Sequence, residues 1–174
     1  MNDHIQKLLD KQSIYEVLIT YCRGVDRCDE AAVRSVYHED SYDDHGYWKG
    51  NGIDFAKFVV NRLKAANSAT MHSIANAMIK VEGDKAWSES QVVATLVRKD
   101  TSPTQADVMG ARYLDTLSRR SGIWRIDRRI LVLDWYKTET WTDNCPPVPL
   151  ENFSKGKRYP EDPLYALISS EATV

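Results

Sequence analysis

No apolar run in this 174-residue sequence approaches the roughly 20 residues that a bilayer-crossing helix needs, so no membrane span is expected. An excess of either charge is also lacking: 23 Lys and Arg stand against 25 Asp and Glu. A net charge of −2 gives no reason to expect nucleic acid or an anionic membrane as a partner. Cysteine is scarce. Cys22, Cys28 and Cys145 form an odd set without a CxxC pair, which argues against a disulfide framework and for a reducing, cytoplasmic setting. There is no Gly-rich phosphate loop, no Walker motif and no GxSxG elbow, so nothing asks for a nucleotide or a covalent serine intermediate. The opening MNDHIQKLLDKQ is polar and reads as the start of a helix, not as a signal or transit peptide.

What is present suffices for one domain with a sizeable core, since 43% of the residues are hydrophobic. Ile14, Val17, Leu18, Tyr21, Cys22 and Val25 recur at helical spacing and predict an amphipathic helix over about residues 4–25. Asp29 is placed to cap a second, short helix through Val36 and Tyr37, and residues 52–67 read as a third. Between these two, HEDSYDDHGYWKGNG reads as a loop with one short strand. Beyond residue 70 the period changes from 3.6 to 2. Four long strands follow, over residues 70–82, 86–98, 106–120 and 122–137, with tight turns at Gly83-Asp84 and Ser121-Gly122. Three helices and then sequential hairpins predict an α+β class, with a strongly curved antiparallel sheet closed by helices. After Lys137 come five of the six prolines, so residues 138–174 are expected to lie over the domain or over a neighbouring subunit.

Some polar residues need a reason. Asp26 follows Tyr21 by five positions, about 140° around a straight helix, so both reach one ligand only if a cavity wraps the helix end or if Gly24 lets it unwind. His72 sits inside the first long strand. A lone strand histidine is ordinarily structural, but a carboxylate fixing one ring nitrogen leaves the other as a general base, and Asp26 is the best placed acid. Arg129 alternates with Leu131, Leu133 and Trp135, and Arg128 with Ile126, Ile130 and Val132. Which arginine pairs with Asp115 or Asp134, and which faces a substrate oxygen, is open. His38, Asp40, Asp43, Asp44 and His45 lack metal-ligand spacing, and no metal site is expected.

The Asp26 helix, YHEDSYDDHG, the MHS of the first long strand, GARYLD and WRIDRRILVLDW occur in an order that resembles the nuclear transport factor 2-like superfamily, over about residues 5–137. Within it the chain resembles the SnoaL-like group, which includes scytalone dehydratase, hexachlorocyclohexane dehydrochlorinase and bile acid 7α-dehydratase. The resemblance implies a cone of curved sheet around a deep apolar pocket. Asp26 and His72 fall where two of these enzymes keep an Asp–His dyad, Tyr21 where the bile acid enzyme has a tyrosine, and Arg129 and Tyr113 on pocket positions. Tyr42 and Tyr47 are candidates for the second tyrosine of a water-activating pair, and Trp48 for a pocket wall. The implied function is a cofactor-independent lyase, eliminating water or a small aldehyde from a hydroxylated aromatic or polycyclic molecule. In it His72–Asp26 is the base, Tyr21 the acid or hydrogen-bond donor, and Arg129 stabilises negative charge. The same fold also hosts ketosteroid-type isomerases, polyketide cyclases and non-catalytic binders, which stand as alternatives. A long apolar strand face predicts a homo-oligomer, a trimer or a dimer.

Overall fold

The computed structural model describes residues 3–142 and 148–171; Cys145 lies outside them. Helix α1 (Asp3–Arg27) forms on the predicted stripe, with Ile14, Leu18, Tyr21, Cys22 and Val25 all buried. It does not unwind at Gly24. A Cβ there would come within 2.8 Å of Val33 Cγ2, so the glycine instead admits the close approach of helix α2 (Glu30–Ser35). The chain leaves α1 through Cys28 in the left-handed region (φ 53°). Its amide donates to the Val25 carbonyl (3.2 Å) and that of Asp29 to the Gly24 carbonyl (2.8 Å), a Schellman closure. Asp29 then caps α2, accepting from the Ala32 amide at 3.0 Å. The helix stops at Ser35, so Tyr37, expected on it, instead opens a strand.

The strands are β1 (Tyr37–Asp44), β2 (Lys49–Asn51), β3 (Asn67–Glu82), β4 (Lys85–Arg98), β5 (Gln105–Arg120) and β6 (Ile123–Thr140), with helix α3 (Gly52–Ala66) between β2 and β3. They form one sheet in the order β2-β1-β6-β5-β4-β3. All neighbours are antiparallel except β1 and β6, which run parallel, so the sheet is mixed. The segment read as loop thus supplies two strands. Its inward row of Ser41, Asp43 and His45 is buried but polar, which hides the strand from a hydrophobic pattern. The sheet curves without closing: β2 and β3 remain edges, α1 packs on β3 and β6, and α3 packs on β1 and β3. This α+β cone has its core between helices and sheet. Among the described residues no helix is long and apolar enough to cross a membrane.

Two register shifts decide which β6 residues face inward. Leu117 pairs with Ile126 but Thr116 with Arg128; Gly110 pairs with Trp135 but Ala111 with Leu133. Each inserts one residue in β6, Asp127 and then Asp134, and each insertion reverses the alternation. Ile126 therefore shares the buried face with Arg129, not with Arg128 as simple alternation predicts. Trp135 leaves that face and is half-exposed, while Leu131, Leu133 and Tyr136 line a cavity. Arg128 lies outside, 4.9 Å above the Tyr42 ring.

Gly52 opens α3 directly behind its cap Asn51, where a Cβ would stand 2.4 Å from Tyr37 Cδ1 and 2.7 Å from Ser41 Oγ. The Tyr37 ring is buried and cannot swing away. Overpacking of this kind costs about 1–3 kcal/mol. Urea unfolding of Gly52→Ala is expected to show that loss, and a variant as stable as the parent would contradict the packing described.

Candidate active site

Asp26 lies in the last turn of α1, and α1 packs on β3, the strand that carries His72. The Asp26 carboxylate takes two hydrogen bonds from this one residue. Oδ1 lies 2.7 Å from His72 Nδ1, and Oδ2 accepts the His72 backbone N–H at 2.7 Å. A ring held through Nδ1 in this way presents Nε2 as its free basic atom. Burial alone would raise the carboxyl pKa of Asp26, but the hydrogen bonds and charge of His72, with a bond from Thr70, outweigh it and hold the value below 3.8. Asp26 remains an anion at neutral pH.

His72 lines a cavity of about 420 Å³ enclosed by α1, α3 and the strands, with mostly apolar walls such as Val25, Val59, Val92 and Leu131. Tyr21 reaches the same cavity directly, whereas Asp26 reaches it only through His72. The cavity therefore wraps the end of an intact helix, and five-residue spacing brings both groups into play. Burial, followed by the fields of Tyr113 and Tyr37, pushes the Tyr21 hydroxyl well above its ordinary pKa of 10.0, so it holds its proton and acts as a donor.

A second Asp–His pair, not anticipated as a catalytic unit, stands behind that phenol. The Tyr21 hydroxyl lies 3.1 Å from His45 Nε2, and His45 Nδ1 lies 2.5 Å from Asp43 Oδ1. The other Asp43 oxygen accepts the Tyr37 hydroxyl at 2.7 Å. His45 also lines the cavity and stacks on Phe55 with centroids 4.3 Å apart. The signal in the sequence was the period-2 row Ser41, Asp43, His45, which is meaningful only once this segment is read as a strand. The rest of the acidic cluster diverges. His38 bonds the Ser118 carbonyl, Asp40 pairs with Arg120 and Asp44 with Lys49.

Arg129 is completely buried and bound side-on to Asp115 through two bonds of 2.8 and 2.7 Å. Across the sheet its register partners are Asp43 and Asp115, so the cation is set between two carboxylate-bearing strands. Its guanidinium lies 4.2 Å from the Tyr21 centroid and 4.1 Å from that of Tyr113. It stands behind the two tyrosines and is not part of the cavity wall, so any effect it has on substrate charge passes through their rings. Tyr113 itself lines the cavity, as does the more exposed Tyr47 near Arg62 at 4.6 Å. Tyr42 and Trp48, expected as pocket residues, are not brought there. Tyr42 lies under Arg128, and the Trp48 indole packs on Phe58 with centroids 4.6 Å apart.

A curved α+β cone whose enclosed apolar cavity receives acid–base side chains from its first helix and first long strand defines a class of small-molecule-handling domains. Residues 6–130 match the SnoaL-like domain, and the chain belongs to that family. Its fold is that of the nuclear transport factor 2-like superfamily. Among solved structures, a type 2 hexachlorocyclohexane dehydrochlorinase (LinA) is 20% identical, with 83% of this chain and 99% of that one covered and a TM-score of 0.73. The type 3 enzyme from Novosphingobium barchaimii LL02 is 19% identical over 83% and 100% of the two chains, with a TM-score of 0.72. A putative scytalone dehydratase from Novosphingobium aromaticivorans DSM 12444 is 20% identical over 83% and 94%, with a TM-score of 0.69. These likenesses establish the fold. Comparison with curated proteins gives no match.

A carboxyl whose folded pKa lies below its ordinary value contributes stability that is complete above that value and lost as pH falls through the lowered one. The stability advantage of the parent over Asp26→Asn is therefore expected to shrink as pH falls below about 4. Denaturant melts at stepped pH measure it. An advantage that grew between about pH 4 and pH 2 would reverse the assignment.

Proposed function

We propose that this protein is a lyase acting on a hydroxylated aromatic or polycyclic small molecule held in the central cavity. His72, oriented by Asp26, accepts a proton from the substrate on Nε2. Tyr21, oriented by His45 and Asp43, donates its hydroxyl proton to the departing oxygen. The proton held by His72 returns through solvent to the phenol to close the cycle. The observation that carries this reading is that a base fixed by one carboxylate and a phenol backed by a second Asp–His pair line the same largely apolar cavity. In such surroundings positioned donors act more strongly than in water. The size of the cavity suits a ligand of one or a few rings. Two outcomes use the same groups. In loss of water, His72 takes a carbon-bound proton and Tyr21 protonates the leaving hydroxyl. In carbon–carbon cleavage, His72 takes the hydroxyl proton of the fragment released as a small aldehyde, and Tyr21 donates to the oxyanion that develops on the fragment retained.

Two separate proton-handling units favour elimination over an isomerase that shuttles one proton on one base, and over simple binding, which needs neither. Hydroxylated aromatic and steroid-like compounds screened for a new conjugated chromophore are expected to reveal turnover. Positioned acid–base groups contribute about 10²–10⁴-fold each. On the compound found, His72→Ala is expected to lose at least about 10²-fold in kcat with the circular dichroism of the parent. Full activity in that variant removes the assigned base.

A further inference from the structure

The last four carbonyls of α1 have no partners within the helix, yet all four are satisfied. Those of Gly24 and Val25 are taken by the Schellman closure described above. Those of Asp26 and Arg27 are taken by the C-terminal segment, through the Arg158 guanidinium and the Tyr159 amide (2.6 Å) respectively. This segment lies beyond residues 6–130, which match the family domain. It is fastened at two further points: Arg27 bonds Asp162 at 3.1 Å, an acid that also accepts the Lys157 amide of its own segment at 2.8 Å, and the Tyr165 hydroxyl donates to Asp29 at 3.0 Å.

We propose that Arg158 is a positioning residue for the His72 base, acting from the C-terminal segment through Thr70 and Asp26. Its guanidinium is half-buried and joins the two elements on which the dyad is split. Nη1 donates to the Asp26 carbonyl at the end of α1 and to Thr70 Oγ1 (2.7 Å) on β3, and Nη2 donates to the Asn67 carbonyl (3.3 Å) where β3 begins. A guanidinium has donors only, so the buried Thr70 oxygen accepts from Arg158. Thr70 stands two residues before His72 on β3, and Asp26, whose carbonyl Arg158 holds, carries the carboxylate that binds Nδ1 and the amide of His72. Arg158 thus ties the two sides of the dyad together, the strand that carries the imidazole through Thr70 and the residue that carries the acid through its carbonyl. The positive guanidinium also suits the negative end of α1. The SnoaL-like domain supplies the dyad, and the tail keeps its two halves in register.

The consequence for turnover rests on the lyase reading, but the positioning itself is read without substrate. In the full-length protein with 15N-labelled histidine, the His72 Nδ1–H proton is followed by NMR. Arg158→Met, which keeps the stem and removes the donors, is expected to speed exchange of that proton with solvent about tenfold, the equivalent of losing one hydrogen bond to a charged group. Thr70→Val, which removes the strand end of the Arg158 bridge from inside the fold, is expected to do likewise. Tyr165→Phe loses only the contact with Asp29 and is expected to leave the proton at the parent rate. Parent-like exchange in Arg158→Met overturns the proposal, as does a Tyr165→Phe effect of equal size, which would make the tail a general brace. Should Arg158→Met not fold, parent-like exchange in Thr70→Val overturns it equally. Faster exchange in a protein that turns over no compound defeats the lyase reading alone. His72-dependent turnover with unchanged exchange defeats the role of Arg158 alone.

Discussion

One carboxylate joins the helix to the sheet. Asp26 accepts both the amide and the ring nitrogen of His72, and α1 packs on β3 where that happens. A hydrogen bond to a charged group contributes about 1.5–3 kcal/mol, so this double contact is strong enough to fix the angle of α1 against the β3 edge. The geometry that holds the helix to the sheet is the same geometry that leaves Nε2 of His72 free for the proposed base. Structure and chemistry share the interaction.

Around it the protein solves a harder problem, which is to keep several ionisable groups in a mostly apolar interior. Each is paired. Asp115 neutralises Arg129, Tyr37 and His45 both bind Asp43, and His72 binds Asp26. The fully buried Arg129–Asp115 pair adds little net stability, but losing one partner leaves an uncompensated charge at a cost of about 3–5 kcal/mol. Burial also pushes the Cys22 thiol up to about 12, so that buried cysteine stays a neutral packing residue. Arg129, placed behind Tyr21 and Tyr113, is best understood as the fixed charge around which the two rings are arranged. Arginine in that place keeps its charge: burial opposes it, but Asp115 and the surrounding tyrosines hold the guanidinium pKa above its ordinary value.

Much of this was legible in the residues. The helical stripe of α1, the Asp29 cap and the two hairpin turns follow from local chemistry and periodicity, whereas the pairing of Asp26 with His72 was an expectation that leaned on the resemblance to a family with an Asp–His dyad. What was not legible is nonlocal. The strand β1 hides because its inward residues are polar and mutually bonded, so no apolar alternation marks it. The faces of Ile126 and Trp135 depend on bulges in β6, set by pairing with β5 and not by β6 alone. Tyr42 was a pocket candidate through the tyrosine pair of the resembled family and Trp48 as a large aromatic able to wall a pocket; in the fold Tyr42 lies on β1 under Arg128 and Trp48, just before β2, packs on Phe58. Arg158 is 132 residues from Asp26 in sequence, in a proline-rich stretch with no periodicity to announce a contact.

In the proposed loss of water His72 removes a proton and Tyr21 releases the leaving group as separable steps. The Tyr21→Phe variant incubated in D2O with the hydroxylated compound that the parent turns over separates them. Deuterium is expected to enter the substrate carbon while elimination is suppressed, with none entering in His72→Ala. Exchange that persists in His72→Ala, or elimination at the parent rate in Tyr21→Phe, would contradict that assignment.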